Sequence, residues 1–468
     1  MTNDSTPEKR VRHFAVAIAL LAALCAIYLP SVGHGFIKDD FVWITTSRID
    51  SSSGFSALAG APTGFFRPVV SLSFAGNRSI CGLRSSCYGL TNFLLLTACA
   101  GGVAAVATAL GLPAGAALLA AALWAFNWHG INMAVVWISG RTALLLVLFA
   151  TWSAAAFLRG RWVAAALLGA AAMLSKEEAV VLPALFVAWV LIDKTPIGAR
   201  RLSWQTSWAV TAGALAAEFL YAMLRAWSGA MTATTAPAYY QLDFTPARLL
   251  SNLAQYVDRS MTFALFVLLT FLVVSAPRRP TSTGVVRRSH PDLASIVLFG
   301  LLWWAGGFAL TIFLPVRSSL YACFPSVGVA IASAAIAAEG WRRLDARQRW
   351  RAVAVGVALP FCLWPVYHAR NRRMAAEAEL SAQTLSVIQG QTDVHAGNLV
   401  ILLKDDRTGK PSLDDSFGAL LQSAVNLVVS PRVVAAIDPP PTDDPTRRLT
   451  SRPDVTLVLK NGRLVEER

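Results

Sequence analysis

Apolar stretches recur along the whole length of this chain, and they limit its fold more than any other feature. "FAVAIALLAALCAIYLP" (14–30), "WAVTAGALAAEFLYAML" (208–224) and "LASIVLFGLLWWAGGFALTIFLP" (293–315) approach or exceed the length that crosses a hydrocarbon core. A water-soluble domain cannot bury so many of them. The charged fraction agrees: 15% against roughly 25% in soluble domains. The chain reads as an all-α polytopic membrane protein. The first apolar stretch follows Lys9, Arg10 and Arg12 in the manner of a signal peptide, but the repetition behind it predicts an uncleaved first span.

About eleven spans are expected, at 13–30, 90–110, 114–127, 141–158, 162–175, 178–193, 205–224, 261–276, 293–314, 320–337 and 351–366. The net charge of +14 is spread between these spans in short clusters, so it points to cytoplasmic anchoring and not to nucleic acid. With a cytoplasmic N-terminus, the inner loops hold Arg159 and Arg161, then Lys194, Arg200 and Arg201. Arg278, Arg279, Arg287 and Arg288 follow, then Arg342, Arg343, Arg347, Arg349 and Arg351. The same alternation places the loop 31–89, the segment 225–260 and the C-terminus outside.

Two domains follow: a transmembrane domain over 1–370 and a small soluble α/β domain over 371–468. The latter contains a strand-like "NLVILLKDD", a helix-like "DDSFGALLQSAVNLVV" and a Pro-rich "DPPPTDDPTRR". It closes with "VTLVLKNGRLVEE", whose Asn-Gly suits a tight hairpin. Cys25, Cys99, Cys323 and Cys362 fall in apolar spans as core residues. Cys81 and Cys87 share the outer loop 31–89, where an oxidising compartment favours a disulfide over two free thiols.

Polar residues gather at the outer rim: Asp39 and Asp40 in "HGFIKDDF", Arg67, His129, Asn132, Arg141, the trio Lys176, Glu177 and Glu178, Arg225, Arg317 and Tyr321. The middles of the spans are nearly free of charge, which argues against a transporter with ionisable groups in broken helices. Acids beside several cations at a membrane surface suit a phosphate-linked lipid: arginine grips phosphate oxygens, and a carboxylate takes a proton from an acceptor hydroxyl. A neighbouring carboxylate and partial burial both raise the basicity of an Asp.

In order along the chain, "GHGFIKDDFVWI", "FFRPVVSLSF", "YGLTNFLLL", "VVWISGRTALL", "LSKEEAVVLPAL" and "RSSLYACFPSVG" resemble motifs of the GT-C superfamily of polyprenyl-phosphate-sugar glycosyltransferases. The similarity runs over about residues 30–335 and is greatest to the protein O-mannosyltransferase-like branch that carries tetratricopeptide repeats. It implies that Asp39 is the catalytic base with Asp40 beside it, and that Arg317 lies near the phosphate of the sugar lipid. Two departures stand out. "NWHGINMAVVWISGR" has Gly130 after His129 and lacks an acid before "WISGR", and the small α/β domain replaces the repeats.

Plainer roles stand beside these. Arg67 and Arg141 also fit interfacial anchors, Lys176 and Glu177 a mutual salt bridge, and His129 and Tyr321 packing residues. No metal-ligand spacing is present around His129, and metal dependence stays open.

The resulting expectation is an inverting glycosyltransferase in a bacterial inner membrane, N-terminus cytoplasmic and C-terminus periplasmic. It would move a sugar from a polyprenyl-phosphate donor to a hydroxyl on glycan, lipid or protein. A lipid-linked-sugar flippase and a non-catalytic membrane scaffold are the alternatives.

Overall fold

A computed structural model describes residues 7–47, 60–61, 63–192, 204–232, 234–275, 293–395, 397–405, 409–438, 452–460 and 462–467. The basic segments 194–201 and 278–288 and the Pro-rich stretch 438–448 lie wholly or almost wholly outside these residues. The chain is 74% helical with a small C-terminal sheet.

Helices α1 (Pro7–Tyr28), α2 (Asp39–Thr46), α3 (Pro68–Cys81) and α4 (Ser85–Ala109) open the chain. They are followed by α5 (Ala114–Ala125), α6 (Gly130–Val136), α7 (Arg141–Leu158) and α8 (Trp162–Met173). Next come α9 (Leu182–Ile192), α10 (Trp204–Trp227), α11 (Pro246–Ser275), α12 (Leu293–Gly307), α13 (Pro325–Arg342) and α14 (Ala346–Val394).

Each of the eleven apolar segments coincides with a helix, yet six stretches among the described residues are long and apolar enough to cross a membrane alone. The pair α5 and α6, bent by 69°, supplies a seventh if it counts as one broken span. The difference from eleven comes from short elements. Helices α8 and α9 have 12 and 11 residues, against about 20 needed to span.

The bundle core is apolar and contains many small residues. Leu96, Val103, Trp124, Ala150, Phe299, Trp303 and Val327 are all buried in it. Helices α12 and α13 touch backbone to backbone: a Cβ on Gly328 would stand 2.2 Å from the carbonyl oxygen of Gly300. Only glycine permits that approach, as at other small-residue helix interfaces in membranes.

Helix α14 runs for 49 residues. At 1.5 Å per residue this is about 74 Å, more than twice a bilayer core. The expected domain boundary at 370/371 therefore falls inside a continuous helix. Asn371 bonds to the Ile27 carbonyl oxygen (2.8 Å) and accepts from Asn132 (2.9 Å), while Tyr367 donates to the Phe126 carbonyl. These contacts fix the helix to the bundle at the level where α1 ends.

Beyond it, β1 (Leu399–Lys404), α15 (Leu413–Phe417), α16 (Leu421–Val428), β2 (Val433–Asp438), β3 (Val455–Lys460) and β4 (Arg463–Glu466) form the C-terminal module. The strand order is β2-β1-β3-β4, with β1 parallel to both β2 and β3, and β3 antiparallel to β4. The hairpin expected at Asn461-Gly462 is this last pair, although Asn461 itself lies outside the described residues. Cys81 and Cys87 are joined by a disulfide at a Cα–Cα distance of 6.3 Å. It closes the turn between α3 and α4.

One core joins the module to the bundle. Leu380, Leu385 and Ile388 of α14 pack with Ile401, Phe417, Val425 and Leu457, and Phe41 of α2 belongs to the same cluster. The rings of Phe41 and Phe417 stack with centroids 6.0 Å apart. The module thus rests on the short helix that carries the Asp pair.

Candidate functional site

Helix α2 begins abruptly. Lys38, its N-cap, has φ 49° and ψ −124°, a conformation that side chains rarely adopt. Its N–H donates to the Ser416 carbonyl of the module (2.9 Å). The next two residues are Asp39 and Asp40, placed in the first turn where the helix dipole favours negative charge.

The two acids point to different surroundings. Asp40 is completely buried; it accepts from the Ile37 N–H (2.9 Å) and from the Ser139 N–H (2.7 Å) and hydroxyl. It ties α2 to the turn that leads into α7. Asp39 is exposed to solvent, and no hydrogen bond or ion pair holds its carboxylate among the described residues. Protein nevertheless surrounds it on several sides. That desolvation raises the Asp39 carboxyl above the ordinary range, against the opposing pull of Arg67 and Lys38.

Asp40 is pushed up to about 7, chiefly by burial, despite the donors of Ile37 and Ser139. A raised acid favours the protonated folded state. Its contribution to stability is full below 3.8 and is lost as pH rises through about 7. We expect the melting temperature of the parent relative to Asp40→Asn to fall between pH 4 and pH 7. A pH-independent difference would remove Asp40 as the cause.

A cavity of about 430 Å³ is lined among others by Arg67, Lys176, Glu177, Glu178, Tyr240 and Tyr321. Arg67 sits at the N-cap of α3, where Pro68 fixes the helix start. Lys176 precedes the 3-10 turn Glu177–Val181. Arg225 enters from the last turn of α10. Tyr240 and Tyr321 come from the 3-10 turns Ala238–Tyr240 and Ser319–Ala322. Five separate stretches of chain therefore converge on one space.

The charges inside are arranged in pairs. Arg67 grips Glu177 in a fork, Nε to Oε2 at 3.1 Å and Nη2 to Oε2 at 2.6 Å, and stacks over Phe65. Arg225 adds a contact to Glu177 at 3.3 Å and donates to the Met231 carbonyl (2.8 Å). Burial alone would raise Glu177; the two guanidiniums outweigh it and hold the carboxyl below its usual value. Burial likewise pushes the Tyr240 hydroxyl up to about 12, with the charge of Asp39 adding to the shift. Asp39 is thus coupled by charge to Tyr240 and Arg67 of the cavity wall, although it is not one of the residues that line it.

Lys176 is different. It is 4% exposed, and its ammonium lies 2.7 Å from Glu178 and 4.8 Å from the Tyr321 ring centroid. The two form a buried ion pair, both side chains less than 10% exposed.

Not every expected site residue reaches this cavity. Arg141 is completely buried and donates to Asn92 Oδ1 (3.0 Å), the Tyr88 carbonyl (3.0 Å) and Ser73. It does not snorkel and does not line the cavity; it locks α3, α4 and α7 together. Arg317 donates to Asn252 Oδ1 (2.8 Å) and Ser251 Oγ (2.9 Å) on α11 and does not line the cavity. His129 faces Asp258 at 3.9 Å, also apart from it. The mutual pair expected of Lys176 and Glu177 does not form, since Lys176 meets Glu178 and Glu177 meets the arginines. Glu178, of the rim trio, lines the cavity too, and so do Tyr240 and Phe65, which the sequence did not single out. Glu178 is visible in "SKEE", whereas nothing in "PAYYQL" marks Tyr240.

We expect Glu177→Gln to cost about 3 kcal/mol, because it strands two part-buried guanidiniums. Denaturation of the purified variant measures this, and an unchanged midpoint would show the cluster to be solvated and weak.

The chain matches no protein-family model and no curated protein.

Proposed function

We propose that the protein is an inverting glycosyltransferase of GT-C type, using a polyprenyl-phosphate sugar as donor and a hydroxyl on glycan, lipid or protein as acceptor. One observation carries the reading. A carboxylate of raised basicity, Asp39, is coupled by charge to Arg67 and Tyr240 of a cavity whose wall also holds Lys176 and Arg225. A reaction that removes a proton at one point and develops phosphate charge at another needs such a base and such cations.

In this reading Asp39 takes the acceptor hydroxyl proton as that oxygen attacks the anomeric carbon. The bond from that carbon to the phosphate oxygen breaks, and its electron pair leaves with the phosphate. Lys176 receives the phosphate oxygens, while Arg67 and Arg225, held by Glu177, set a cationic wall around them. Tyr240 and Tyr321 offer ring faces to the sugar. The lipid tail lies along the apolar helices. The remaining parts of the proposal are the eleven-span topology, a bacterial inner membrane, a cytoplasmic N-terminus and a periplasmic site.

The test is biochemical. Purified full-length protein is given a short-chain polyprenyl-phosphate sugar with a panel of acceptors, and release of polyprenyl phosphate is followed by mass spectrometry. Acceptor-dependent release is expected, together with loss of one glycan from the corresponding deletion strain. A strain with unchanged glycans and a protein that releases nothing would reject the proposal.

A further inference from the structure

A second cavity, of about 720 Å³, lies among α1, α4, α5, α7 and α8, far from the first. Asp40 meets the chain at Ser139, just before α7, whereas this cavity is bounded by Arg159 and Arg161, just after it. The 18 residues of α7 separate the two regions by about 27 Å.

Its lining divides cleanly by chemistry. Small residues, among them Gly101, Ala105 and Ala117, make a smooth apolar trough, with Trp152 at its side. His13, Thr108, Arg159 and Arg161 supply the polar groups, and none of the described residues that line it is acidic. Arg159 is fixed by donating to the Ala155 carbonyl (3.2 Å) and the Ala105 carbonyl (3.1 Å), which joins α7 to α4. Arg161 is exposed and has no side-chain partner among the described residues. Helices α5 and α8 both begin here, and neither has a side-chain cap on its first amides. Two guanidiniums and two open helix starts make an anion site.

The ligand is not a free ion, because the surface around the site is apolar. Phe14 is 68% exposed and Val163 75% exposed, and both belong to helices that border the trough. A molecule that fits has an anionic head for the arginines and hydrocarbon for the trough and the flanking helix faces. We infer that this cavity is a binding site for an anionic phospholipid, seated with its phosphate at Arg159 and Arg161 and its acyl chains along α1 and α8. The inference stands independently of glycosyl transfer.

Native mass spectrometry of the full-length protein in detergent tests it, with phosphatidylglycerol and phosphatidylcholine of identical acyl chains as probes. The parent should retain phosphatidylglycerol preferentially, by about fivefold for each arginine engaged. Arg161→Glu, a change on an exposed side chain, should remove at least about fivefold of that preference. Arg347→Glu, on an exposed residue at the start of α14, should leave it intact. Equal retention of the two lipids overturns the inference, and so does an equal loss in both variants, which would mean diffuse charge. Displacement of phosphatidylglycerol by inorganic phosphate alone would replace the lipid with a simple anion.

Discussion

Asp39→Asn is expected to lower sugar transfer by about 10²–10⁴-fold while leaving the protein folded, the usual loss for a general base. The side chain is exposed and makes no hydrogen bond among the described residues, so its replacement removes no structural contact. Asparagine keeps the shape but cannot accept the proton. The pH profile gives a second, independent reading. A base works only when ionised, so the rate should rise with pH along a limb controlled by Asp39. Because desolvation by the protein around it raises that carboxyl, the limb should lie above 3.8. An Asp39→Asn protein that transfers sugar at the parental rate would end the catalytic reading of this loop. Asp40 behaves otherwise. Its carboxylate is committed to Ile37 and Ser139, and Asp40→Asn turns an acceptor into a donor facing their N–H groups. The loss there is of stability, on the order of 1–3 kcal/mol.

Hydropathy was sufficient to find the long apolar helices, though not α2, α3 or α6, because an apolar run in a membrane has no alternative to helix that satisfies its backbone. It was insufficient for their lengths. The segment 261–276 is the apolar end of α11, whose first half, "PARLLSNLAQYVDRS", is amphipathic and carries Asn252 and Tyr256 inward. The segment 351–366 continues into α14 as far as Val394 through "RMAAEAELSAQTLSVIQG", a polar run rich in good helix formers.

The site was legible as residue types at the ends of segments: Arg67, Lys176, Glu177, Arg225 and Tyr321 do share one cavity. Their partners were not. Lys176 is extended, at φ −164° and ψ 145°, so residues two apart tend to share a side, and it meets Glu178 instead of its neighbour Glu177. Arg141 shows the other limit. A cation at a span start reads equally as a snorkelling anchor, a ligand or a buried tie, and only the positions of Asn92, Ser73 and Tyr88 decide among them.

Phe417→Ala should be the most damaging change outside the cavity. The ring is fully buried, stacked on Phe41, and belongs to the core shared by the module and α14. Removing a buried phenyl costs about 3–5 kcal/mol. The consequence should reach Asp39, because Lys38 holds a conformation that costs about 1–3 kcal/mol, and such strain persists only where its surroundings enforce it. The enforcing contacts are the Lys38 N–H bond to Ser416, the Phe41 stack, and the bond from the Ser416 hydroxyl to the Glu377 carbonyl of α14. All three involve Phe417 itself or its neighbour Ser416. Loosening them should let residues 37–46 exchange amide hydrogens faster and should lower transfer in parallel. Phe417→Leu, which refills most of the volume, should recover both. If Phe417→Ala destabilises the module while amide exchange over 37–46 and the transfer rate both stay parental, the module does not hold the Asp39 helix in place.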